Sequence, residues 1–89
     1  MELIAKGSFY HDVAKISNRK LNQALLDALD KAERAKNISE IPHLKKLKKF
    51  DVHYRIKVAT DYRIGAIVRG NKIWLACFGH RSNFYKNFP

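Results

Sequence analysis

Residues 53–80 read HYRIKVATDYRIGAIVRGNKIWLACFGH, and in its opening run apolar and basic residues alternate with a period of two. Val52, Tyr54, Ile56 and Val58 alternate with His53, Arg55 and Lys57, so a first strand has one apolar and one basic face. Gly70-Asn71 is a two-residue hairpin signal joining the run from Tyr62 to Arg69 with the run from Lys72 to Gly79. That turn sets Arg69 opposite Lys72, Ile67 opposite Trp74, Gly65 opposite Ala76 and Arg63 opposite Phe78. A loop at Ala59-Thr60-Asp61 sets Lys57 opposite Arg63 and Arg55 opposite Gly65. Both choices make the faces agree, since a slip of one residue turns every side chain over. The result is a three-stranded antiparallel meander. One face carries Tyr54, Ile56, Val58, Tyr62, Ile64, Ala66, Val68, Ile73, Leu75 and Cys77. The other carries Arg55, Lys57, Arg63, Gly65, Ile67, Trp74, Ala76 and Phe78, with His80 continuing the same parity.

Upstream of the meander the period is helical. Leu21, Leu25, Ala28, Leu29 and Ala32 line one face of RKLNQALLDALDKAERAK, with Asn18 as a cap and Asn37 as a stop. Acid-before-base pairs four apart, Asp27 with Lys31 and Asp30 with Arg34, add support. Phe9, Val13 and Ile16 mark a shorter helix that Ser8 is placed to cap, and Glu2 to Ala5 is a short edge strand. The predicted class is α+β: a small antiparallel sheet, made of an N-terminal strand plus a three-stranded C-terminal meander, packed on two N-terminal helices. The order is β-α-α-β-β-β, in one domain over residues 1–89.

With 18 Lys and Arg against 8 Asp and Glu, the formal charge is +10, a field that draws polyanions such as nucleic acid or an acidic protein. A single cysteine forms no internal disulfide, which suits a reducing cytoplasm. No apolar run approaches the roughly 20 residues that span a bilayer. A soluble, cytoplasmic chain with no membrane partner is expected.

Three cations on adjacent strands repel one another and need water or an anion, and a phosphate suits an arginine fork beside an ammonium. Gly65 opposite Arg55 leaves a hollow. Trp74 and Phe78 either form a second cluster covered by Phe84, Phe88 or a partner segment, or stack on bases. The LKKLKKF run, with Lys45, Lys46, Lys48 and Lys49, is either a wetted face or a set of phosphate contacts. At the end of the last strand, FGHRSNFYKNFP brings His80 and Arg81 toward Arg63. His80 is the one side chain there whose ordinary titration lies near neutrality, and Tyr85 is able to fold back and stack on a base.

The segment YRIKVATDYRIGAIVRGNKI followed by FGHRSNFYK resembles the RelE/ParE toxin superfamily of bacterial and archaeal toxin–antitoxin systems, on the RelE side. The likeness is specific from His53 to Lys86, while over residues 1–50 only the element order and the basic segment agree. It implies a messenger-RNA endonuclease acting in the ribosome with no metal or cofactor, neutralised by a cognate acidic antitoxin. By motif, Lys57, Arg63, Arg81 and Tyr85 are the implied catalytic residues, with His80 beside them. Arg55 and the four lysines from Lys45 to Lys49 are the substrate contacts. Arg55 departs from the family pattern, which has lysine there, and arginine stays charged. Proton transfer therefore falls to Lys57 or His80. A ParE-like, non-enzymatic gyrase inhibitor and a plain RNA-binding module remain the alternative functions. For the antitoxin's apolar anchors, the Ile67, Trp74 and Phe78 patch and the long helix are the expected surfaces.

Overall fold

The computed structural model describes residues 1–89 as β1 (Glu2–Ala5), α1 (Gly7–Val13), α2 (Arg19–Arg34), a 3-10 turn (Ile38–Glu40), β2 (Leu44–Lys46), β3 (His53–Val58), β4 (Tyr62–Arg69), β5 (Lys72–His80) and α3 (Arg81–Asn87). The strands form one sheet in the order β1-β5-β4-β3-β2. The meander is antiparallel, and β1 lies parallel to β5, so the sheet is mixed. Part of the basic run, Leu44 to Lys46, pairs with β3 as a fifth strand.

Helix α2 lays its apolar stripe on the sheet, with Leu25 and Ala32 1% and 0% exposed against Ile56, Ile64 and Ile73 of the same core. Asn18 caps it, its side-chain oxygen accepting from the Leu21 N–H at 2.9 Å. At the other end, the Met1 amino group donates to the carbonyls of Glu33 at 2.8 Å and Ala35 at 2.5 Å, meeting acceptors that a helix end leaves open. Asp30 and Arg34 pair at 3.1 Å. Asp27 does not pair with Lys31; it accepts from Gln23 at 3.2 Å. Ser8 is not a cap either: Lys6 occupies that position, and the Ser8 hydroxyl reaches across to β5.

The turns are as expected, with Gly70 at φ 59° in the hairpin, Lys57 opposite Arg63, and Arg69 opposite Lys72. The register of β5 departs from simple alternation midway. Leu75 pairs with Ala66 but Cys77 pairs with Gly65, leaving Ala76 as the extra residue of a β-bulge. Every side chain beyond it is turned over. Phe78 pairs with Ile64 and is 7% exposed in the core, and His80 pairs with Tyr62 on that same side. Cys77 comes out opposite Gly65. Phe78, His80 and Cys77 therefore occupy the faces opposite to those that strict alternation assigns.

Candidate active site

The face of the sheet turned away from α1 and α2 collects the cations. Arg55 and Lys57 of β3 stand directly opposite Gly65 and Arg63 of β4, and Lys45 of β2 stands opposite Arg55. Directly paired residues point to the same side, so Lys45, Arg55, Lys57 and Arg63 share it. Lys46 pairs with Tyr54 and falls on the other side, while Lys48 and Lys49 lie beyond the strand. Of the four lysines of the run, the sheet aligns Lys45 alone with the arginines.

Helix α3 crosses this face. Phe84 and Phe88 are buried under it, their rings 5.5 Å apart, and Phe88 lies 5.6 Å from the ring of His53. A Cβ built at Gly65 falls 2.9 Å from the Phe88 ring and 2.6 Å from the Cys77 sulfur. The hollow expected at Gly65 is thus filled by Phe88. Glycine stands there because nothing larger fits. Burial pushes the Cys77 thiol up to about 11, with the Asp12 carboxylate adding to the rise against a hydrogen bond from the Gly65 backbone, so the thiol stays protonated at neutral pH.

At the end of the β3–β4 pair, the Ala59–Asp61 turn organises two arginines. Arg63 Nη1 donates to the carbonyls of Thr60 at 3.0 Å and Tyr62 at 2.9 Å. Its Nε is buried without an acceptor, an unusual state for a charged donor. Arg81 donates its backbone N–H to the Asp61 carbonyl at 2.6 Å and holds the Asp61 carboxylate at 3.3 Å through Nε. Arg55 is pinned differently, its Nη1 donating to the His43 carbonyl at 2.8 Å. Lys57 makes no side-chain hydrogen bond or ion pair; it borders a cleft of about 180 Å³ between α2 and β3, shared with Asp27, Lys31 and His43. Tyr85 follows Arg81 by four residues, one helical turn, and is 53% exposed beside Phe84.

Lys57, Arg63 and Arg81 are brought together, with Tyr85 on the same flank of α3 as Arg81. His80 is not part of this group. The bulge places its ring on the Tyr62 side, edge-on at 5.3 Å, and its Nδ1 accepts from the Ser82 N–H at 3.1 Å as the cap of α3. It holds the helix that carries Arg81. Asp61 was not among the residues that motif and alternation single out; a carboxylate in a tight turn has no periodic signal, although its place between β3 and β4 is visible in the sequence.

The chain has the RelE-like toxin fold. It superposes on a chain of the RelB–RelE antitoxin–toxin complex from Methanococcus jannaschii with a TM-score of 0.77 and 22% identity, over 97% of this chain and 99% of that one. A YoeB dimer structure from Staphylococcus aureus matches with a TM-score of 0.69 and 18% identity, covering 86% of this chain and 92% of the other. A conserved hypothetical protein of Helicobacter pylori matches at 0.62 and 18% over 92% and 96%. At these identities the likeness is one of fold. No protein-family model matches the sequence, and a search of curated proteins finds no match to it.

Proposed function

We propose that the protein is the toxin of a toxin–antitoxin pair and a metal-independent endoribonuclease that cleaves messenger RNA on the ribosome. The observation that carries this reading is the pairing of Lys57 with Arg63 across the β3–β4 turn, with Arg81 tethered to Asp61 of that turn. In the reaction the RNA 2′-hydroxyl gives up its proton and its oxygen bonds to the adjacent phosphorus. The bond from phosphorus to the 5′-oxygen breaks, and that oxygen takes up a proton, leaving a cyclic phosphate and a 5′-hydroxyl. Negative charge grows on the non-bridging oxygens, where Arg63 and Arg81, already held by backbone and carboxylate oxygens, stabilise it without reorganising. Lys57, free of partners, faces the attacking hydroxyl and, as the free amine, takes its proton, while water protonates the departing 5′-oxygen. Tyr85 presents an open ring on which a base can stack. Lys45 and Arg55 extend the basic track and add affinity without sequence choice.

The partner that fits is an acidic antitoxin. Ile67 and Trp74 remain on the cation face beside Lys6 and Arg69 in a hollow of about 340 Å³, an apolar floor with a basic rim. Phe78 is not available to it, being in the core.

Purified protein added to translating ribosomes tests the reading. Message cut within the decoding site, with cyclic phosphate ends, supports it. Intact message with inhibited gyrase supercoiling points instead to a gyrase inhibitor, and RNA bound but uncut points to a binding module.

A further inference from the structure

The bulge in β5 is gripped from outside the sheet. The carbonyl oxygen of Ala76, the residue with no partner on β4, accepts from the Ser8 hydroxyl at 2.5 Å, and the Phe78 N–H donates to Asp12 Oδ2 at 3.0 Å. Ser8 and Asp12 are four residues apart on α1, so one flank of a two-turn helix holds the main-chain groups on both sides of Cys77. A bulge loosens the local ladder, and these side chains replace what the ladder does not supply.

The phase of everything after Ala76 depends on that grip. With the extra residue in place, Gly79 stands opposite Arg63 and leaves the guanidinium uncrowded, and Phe78 stacks on Tyr62 at 5.5 Å with the planes 17° apart. His80 then caps α3, and Arg81 meets Asp61. Strict alternation instead sets the bulky Phe78 against Arg63. We propose that Ser8 and Asp12 are positioning residues: by clamping the β5 bulge from α1, they set the register that delivers Arg81 and Tyr85 to the cation face. The clamp touches none of the reacting groups. Its catalytic consequence rests on the nuclease reading given above, while its structural consequence does not.

The test uses the full chain with Ser8→Ala, Asp12→Ala and the double variant, and Asp12→Asn, which keeps an oxygen able to accept from the Phe78 N–H. Amide hydrogen exchange is followed at Phe78, at Arg81, whose N–H is bonded to Asp61, and at Ile64 in the core as the reference. The proposal expects the double variant to lose on the order of tenfold or more protection at Phe78 and Arg81 together, with Ile64 still protected and Asp12→Asn close to the parent protein. Cleavage on ribosomes is expected to fall on the order of 10- to 100-fold in turnover with RNA affinity little changed, as for a misplaced catalytic group. Protection lost at Phe78 but kept at Arg81 overturns the proposal, as does Asp12→Asn behaving like Asp12→Ala. Should the parent protein fail to cut RNA, the nuclease reading falls, and the exchange pattern still decides for or against the clamp. If the double variant unfolds, the two single variants supply the same comparison.

Discussion

Replacing Gly65 by alanine adds one methyl group where α3 presses on the sheet. The new Cβ lies 2.6 Å from Cys77 Sγ and 2.9 Å from Cδ1 and Cγ of Phe88, well inside van der Waals contact. The Cys77 sulfur can turn aside. Phe88 has less freedom, being 7% exposed and packed between Phe84 and His53, so relief requires the end of α3 to lift. Overpacking of this kind costs about 1–3 kcal/mol. At about 4–8 °C per kcal/mol for a domain of this size, Gly65→Ala lowers the melting temperature by roughly 4–24 °C. Phe88→Ala alone removes a buried ring, at a cost of about 3 kcal/mol. In the double variant the methyl group enters space the ring has left, so the two losses combine to at least about 1 kcal/mol less than their sum. Urea and thermal unfolding followed by circular dichroism measure the cycle. Additivity within about 0.5 kcal/mol, or an unchanged midpoint for Gly65→Ala, refutes the packing of α3 over Gly65.

Asp61→Ala releases the Arg81 side chain from an ion pair whose partners are 61% and 47% exposed, so unfolding measurements should show a change below about 1 kcal/mol, whereas ribosome-dependent cleavage drops about tenfold or more. The Cys77 thiol, held up to about 11, should be alkylated slowly at pH 8 relative to a free thiol and faster as the pH rises. The sign for stability follows: an unfolded thiol ionises near 9.0, before the folded one, so stability contributed by this group is intact below about pH 9 and declines as pH rises toward about 11, read by urea midpoints across that range. RNA affinity measured against salt should lose about one unit of log–log slope with Lys45→Ala, the loss expected when one proposed phosphate contact is removed, and the loss should be the same for unrelated sequences.

Most of the sheet was legible because alternation is a local property. Val52 to Arg69 kept its period, and requiring the faces to agree placed Lys57 opposite Arg63 and Arg55 opposite Gly65. The departure from alternation begins at Ala76. Nothing between Lys72 and His80 announces an extra residue, since the contacts that hold it come from Ser8 and Asp12, more than sixty positions away in the chain. Local pattern carries no record of such a reach, and from there Phe78 and His80 lie on the side opposite to the one that alternation predicts. The strand at Leu44 to Lys46 was hidden for another reason: lysines are poor strand formers, and this segment is extended because the open edge of β3 offers it partners. In the site, Arg63 and Arg81 are legible as residue types and the Ala59–Asp61 turn as a loop, but the hydrogen bonds and the ion pair by which that turn fixes the two arginines are not. Phe84 and Phe88 were expected as cover for Trp74 and Phe78, and the structure sets Phe88 over Gly65 and Cys77.

The central claim is that the cations at the β3–β4 turn act on a phosphodiester in its transition state and do more than attract RNA. Single-turnover cleavage of a ribosome-bound message, measured beside the dissociation constant for the same RNA, tests it with Arg81→Ala. The account predicts a fall in the cleavage rate on the order of 100-fold with affinity reduced about threefold or less, since one exposed cation contributes little to binding. A variant that cuts at the parent rate once saturated, and differs only by weaker binding, contradicts it.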